Sequence, residues 1–85
     1  MNTIGKQVAM ILSLRSGLNL SDIRMDQSLR DLGVDSLVLV ETIFELEETF
    51  DIVVPFNANE AENSGLETVG SVIALVEQLV MKRAA

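Results

Sequence analysis

The apolar residues of this chain fall into three stretches of helical period, separated by irregular segments. Ile4, Val8, Ile11 and Leu12 recur at i, i+4, i+7 and i+8, which places them on one face of a first helix. Asn2 or Thr3 can cap its start and Gly17 can stop it. From Leu18 to Asp35 the period is lost. Leu18, Leu20, Ile23, Met25, Leu29, Leu32 and Val34 continue the apolar content but are interrupted by Ser21-Asp22, Asp26 and Gly33. This predicts a long, ordered loop pinned by its own apolar side chains, a feature that compact domains usually keep for a functional reason.

A second helix is expected from about Ser36 to Phe50. Leu39, Ile43, Leu46 and Phe50 form its buried stripe. At about 100° per residue, Leu37, Glu41, Phe44 and Glu48 fall on the opposite side. "DIVVPF" follows. It has no strand-like partner elsewhere and ends at Pro55, so it reads as a connector with Val54 turned inward. Asn57 to Gly65 is polar and admits at most a short helical turn. The last helix is expected from about Glu67 to Arg83. Val69, Val72, Ile73, Val76, Leu79 and Val80 form its apolar face, and Lys82 and Arg83 suit the negative end of its dipole. The expected fold is all-α, a small four-helix bundle of three long helices and one short one, with a long loop between the first two long helices.

Composition narrows the function. Eighty-five residues make one small domain, here residues 1–85, and 48% apolar residues are ample for its core. A net charge of −7 argues against nucleic acid or an anionic membrane as a partner. No apolar run is long enough to span a bilayer, and the start "MNTIGKQ" lacks the order of a signal peptide, so a cytoplasmic monomer is expected. The chain has neither histidine nor cysteine. Ser36 therefore has no imidazole base, no thiol nucleophile exists, and a Ser–Lys arrangement would have to use Lys6 or Lys82 near the chain ends. No catalytic residue and no metal site is assigned. "DIRMDQSLRDLG" lacks the acidic spacing and glycine of a calcium loop.

Charge is also unevenly placed. From Asp31 to Glu77 lie eleven of the 13 acidic residues and none of the six lysines and arginines, which are Lys6, Arg15, Arg24, Arg30, Lys82 and Arg83. Glu41, Glu45, Glu47 and Glu48 thus have no ion-pair partner within their own helix. Such a run is most often a solvated face. Leu37 and Phe44 among the acids point instead to a docking face.

Asp35-Ser36 opens the second helix, and both residue types are preferred there because their oxygens accept bonds from free backbone N–H groups. Taken alone, the pair reads as a cap. In context it reads differently. "LRDLGVDSL" (Leu29 to Leu37), the glutamate-rich "VETIFELEETFDI", Pro55 and the apolar last helix together resemble the acyl carrier protein family over nearly the whole chain. The resemblance implies that a phosphopantetheinyl transferase attaches 4′-phosphopantetheine, taken from coenzyme A, to Ser36 beside Asp35 and Leu37. It implies that Leu37, Glu41, Phe44, Glu47 and Glu48 meet partner enzymes with basic docking surfaces, among them acyl-loading, acyl-transfer and synthase enzymes. It also implies that Leu39, Ile43, Leu46 and Val54 line the path of an acyl chain.

Two departures from the family's pattern stand out. Val38 occupies the position after D-S-L where an acid is usual, and the polar stretch before Leu66 is long. With "SLRDLG" they suggest a specialised carrier of lipid or polyketide synthesis. An aminoacyl or peptidyl carrier, or an unmodified helical interaction module, remain the alternatives.

Overall fold

The computed structural model describes residues 3–54 and 67–84. Among the described residues, three α-helices follow in chain order, α1 (Thr3–Ser16), α2 (Ser36–Phe50) and α3 (Val69–Ala84), with a 3-10 turn at Leu20–Asp22. The described residues contain no strand, only one isolated antiparallel bridge between Ser28 and Thr68. The all-helical expectation holds for three helices; the short fourth helix was placed at residues that lie outside the described ones. Pro55 lies outside them too.

Each helix is set by its local chemistry. Gly17 ends α1 at φ +78, with its N–H on the Ser13 carbonyl at 3.0 Å. Asp35 caps α2: its carboxylate accepts the Val38 N–H at 2.9 Å. Asp51 closes α2 in the left-handed region (φ 54), which aspartate tolerates better than most residues. The last helix begins two residues later than the pattern predicted. Thr68 and Ser71 cap each other reciprocally: Thr68 Oγ1 accepts the Ser71 N–H at 3.1 Å and Ser71 Oγ accepts the Thr68 N–H at 2.9 Å. That exchange holds Thr68 outside the helix, so the helix starts at Val69.

The core lies between the helices, with α1 packed against both α2 and α3. Val8, Leu12, Leu46, Val69, Val72 and Val76 are almost fully buried. Of the expected stripe on α2, Ile43, Leu46 and Phe50 are buried, while Leu39 is only half-buried near the open start of the helix. Thr42 is buried as well, which hydrophobic periodicity does not anticipate. Its hydroxyl donates to the Val38 carbonyl at 2.8 Å, so the helix itself satisfies the polar atom. In the connector, Ile52 and Val54 are buried and Val53 points out.

The long loop is ordered by two devices. Ile23, Leu29 and Leu32 are buried, and Val34 packs half-buried on the core, whereas Leu18, Leu20 and Met25 stay exposed. Leu29 to Leu32 form one helical turn that Gly33 terminates at φ +82. The Gly33 N–H returns to the Arg30 carbonyl and the Val34 N–H to the Leu29 carbonyl, both at 3.0 Å, the paired bonds of a glycine-terminated helix end. The loop then joins the start of α3 backbone to backbone. Leu29 N–H donates to the Glu67 carbonyl (2.9 Å), Val69 N–H to the Gln27 carbonyl (3.0 Å) and Gly70 N–H to the Met25 carbonyl (2.8 Å). A Cβ on Gly70 would lie 3.0 Å from that Met25 oxygen, so a larger residue would force this contact to give by a few tenths of an ångström.

Candidate functional site

The loop delivers the chain to Asp35, and Asp35 turns it into α2 with Ser36 as the first helical residue. The capping role therefore belongs to Asp35, not to Ser36. Asp35, Ser36 and Leu37 are all exposed. The Ser36 hydroxyl makes no hydrogen bond among the described residues. The first-turn donors are only partly used: the Asp35 carboxylate takes the Val38 N–H, and the Asp35 carbonyl takes that of Leu39 at 2.8 Å. The Ser36 and Leu37 N–H groups have no acceptor among the described residues. Free amides at a helix start, with the helix dipole behind them, favour an anion at this point.

Four other described serines are engaged. Ser13 donates to the Leu18 carbonyl, Ser16 accepts from the Leu18 N–H at 3.4 Å, Ser28 accepts from the Asp31 N–H at 3.0 Å, and Ser71 is locked in its exchange with Thr68. Ser21 is exposed without such a bond, but it sits inside the three-residue 3-10 turn rather than at the start of an α-helix. Ser36 is thus the described serine that combines an unengaged hydroxyl with an open α-helical N-terminus.

The residues expected to meet partners separate into two groups. Leu37 and Phe44 are 69% and 62% exposed, and Glu41 and Glu48 are exposed beside them on the same face. Glu47 departs from that group. It is half-buried, and its carboxylate accepts the Val54 N–H at 2.8 Å, tying the connector to α2. The acids of α2 are also less isolated than their own helix suggests, because Arg15 of α1 reaches Glu45 and lies 3.6 Å from Glu41. Sequence reasoning missed Arg15. Nothing local marks a pairing across 30 positions, although Arg15 is the one cation in the last turn of α1.

The residues expected along an acyl path are brought together on the inner side. Ile43, Leu46 and Val54 are buried in one core, and Leu39 flanks it half-buried. A separate groove of about 320 Å³ is lined by Lys6, Ala9, Leu20 and Ile23. It shares no residue with this set or with Ser36.

Comparison with known proteins agrees with the geometry. A family profile described as "Phosphopantetheine attachment site" matches residues 6–76. An acyl carrier protein of Prochlorococcus marinus (strain MIT 9515) is 36% identical over 73 residues, covering 85% of this chain and 86% of that protein. An acyl carrier protein of Streptococcus pneumoniae serotype 4 is 37% identical over 73 residues, 86% of this chain and 90% of the relative. Nodulation protein F of Rhizobium leguminosarum bv. trifolii is 35% identical over 65 residues, 76% and 70% respectively.

Proposed function

The chain belongs to the acyl carrier protein family, non-catalytic carriers with a covalently attached 4′-phosphopantetheine, and from that premise we propose that Ser36 is its attachment residue. The observation that carries this reading is the exposed, unengaged Ser36 hydroxyl at the open N-terminus of α2. In the transfer, the Ser36 oxygen forms a new bond to the β-phosphorus of coenzyme A. The phosphoanhydride bond breaks, 3′,5′-adenosine bisphosphate leaves, and the hydroxyl proton passes to the transferase. The Ser36 and Leu37 amides, at the positive end of the helix dipole, would favour the resulting phosphodiester charge. Asp35 holds the first turn in place while the hydroxyl stays outside. When bound, the group supplies the thiol that carries an acyl chain as a thioester, which the cysteine-free chain lacks.

Leu37, Glu41, Phe44 and Glu48 form the surface offered to the transferase and to acyl-loading, acyl-transfer and synthase enzymes with basic docking surfaces. Exposed aromatic and leucine side chains ringed by acids suit an apolar anchor with charge steering around it. Glu47 contributes less than its neighbours, since one of its oxygens is committed to Val54. The cargo lies along Leu39, Ile43, Leu46 and Val54. Helices α2 and α3 approach each other less closely than either approaches α1, which supports a chain sheltered at their seam. No described helix is long and apolar enough to cross a membrane. The chain acts as a cytoplasmic monomer with one carrier domain over residues 1–85.

Intact mass after incubation with coenzyme A and a broad-specificity transferase tests the carrier reading. One 4′-phosphopantetheine should be added per chain. An unchanged mass would leave an interaction module that is never modified.

A further inference from the structure

The four glutamates of α2 are not equally available to a partner. Arg15, in the last turn of α1, donates through Nε (3.0 Å) and Nη2 to Glu45 Oε1, and its Nη1 lies 3.6 Å from Glu41 Oε2. Glu47 is held by the Val54 N–H. The Glu48 carboxylate has no ion pair and no hydrogen bond among the described residues, and the residue is exposed beside Phe44. Glu41 stands on the same face, yet a cation of the chain itself is already beside it.

We propose that Arg15 is a specificity-determining residue for docking: it withdraws Glu41 and Glu45 from partners and leaves Glu48 as the open acid beside Phe44, on the face that Leu37 shares. This rests on the α2 docking reading above. The face then selects a partner with an apolar recess for Phe44 and a cation placed for Glu48. It discriminates against partners that depend on a dense basic patch, because their cations must displace a guanidinium that grips Glu45 through two donors. The planar fork is already organised for that contact, so Arg15 surrenders it less readily than a lysine would. Both partners are partly shielded, with the Arg15 and Glu45 side chains 36% and 28% exposed, which limits screening by salt.

The test uses a broad-specificity phosphopantetheinyl transferase with coenzyme A as the probe of the face, reading kcat/KM at low and high salt. Glu48→Gln should lower kcat/KM about two- to five-fold, the range of one exposed charge contact. Glu41→Gln alone should cost less than Glu48→Gln, and about as much as Glu48→Gln when it is combined with Arg15→Met. Arg15→Met alone should raise kcat/KM about two- to five-fold and steepen its decline with salt. Melting of each variant checks that it is folded; if Arg15→Met is not, the Glu41 coupling is read in Arg15→Gln, which removes the charge and keeps a polar side chain, with the same outcomes expected. An equal effect of Glu41→Gln with and without Arg15 overturns the proposal and leaves the docking face intact. If neither Glu48→Gln nor Phe44→Ala alters kcat/KM, the docking reading falls, and this proposal with it.

Discussion

Helices α2 and α3 begin with the same problem, first-turn amides that no turn of helix can satisfy, and they meet it differently. At α3 the long loop and the Thr68–Ser71 exchange supply acceptors for Val69, Gly70 and Ser71 in succession. At α2 the Asp35 side chain supplies one, for Val38, and leaves Ser36 and Leu37 without any among the described residues. A sealed start fixes packing: Val69 is 0% exposed and locks the loop onto the core. An open start leaves donors and a hydroxyl for something from outside. The loop that closes α3 is also the segment that delivers Asp35 and Ser36, so one stretch of chain closes one helix and presents the other.

The contrast continues along the two faces of α2, where the largest effect is expected. Phe50→Ala should cost about 3–5 kcal/mol as the truncation of a buried aromatic. Phe44→Ala, 62% exposed, should stay within about 0.5 kcal/mol. Urea denaturation of the two variants reads the difference, and similar losses would mean that the outer face of α2 is not free of structural duty. Next come the second positions of the two helices, Gly70 and Leu37. Gly70→Val pushes a side chain against the Met25 backbone oxygen and should cost about 1–3 kcal/mol, whereas Leu37→Ala should cost less than about 0.5 kcal/mol. Equal costs would erase the distinction between a sealed and an open start. Smaller still are the caps. Thr68→Ala and Asp35→Ala should each lose about 0.5–2 kcal/mol, with Thr68 the larger because its exchange with Ser71 is reciprocal. The same denaturation midpoints decide that order.

How far the sequence carried each feature depended on how local its cause was. Helix α2 was legible to the residue, since Asp35 announces its start and the stripe ending at Phe50 its length. The start of α3 was placed two residues early because a threonine–serine exchange lacks the acidic third residue that usually marks a capping box. Thr42 was missed because hydrophobic periodicity counts it as polar, although its own helix satisfies its hydroxyl. The seal between Met25, Gln27 and α3 is made of backbone bonds, which carry no side-chain signature apart from Gly70. Arg15 was beyond reach for a related reason, since its partners lie a helix and a loop away. At Ser36 the local pattern left cap and attachment point undecided. The resemblance favoured attachment, and the structure gave the cap to Asp35.

The most direct test of Ser36 as the attachment point is the intact mass of Ser36→Ala after incubation with coenzyme A and a transferase that modifies the unaltered chain. Because Ser36 is not the capping residue, the variant should melt like the parent, within about 0.5 kcal/mol. Its mass should not change. A folded Ser36→Ala chain that still gains one 4′-phosphopantetheine, on Ser21 or any other serine, would contradict the account.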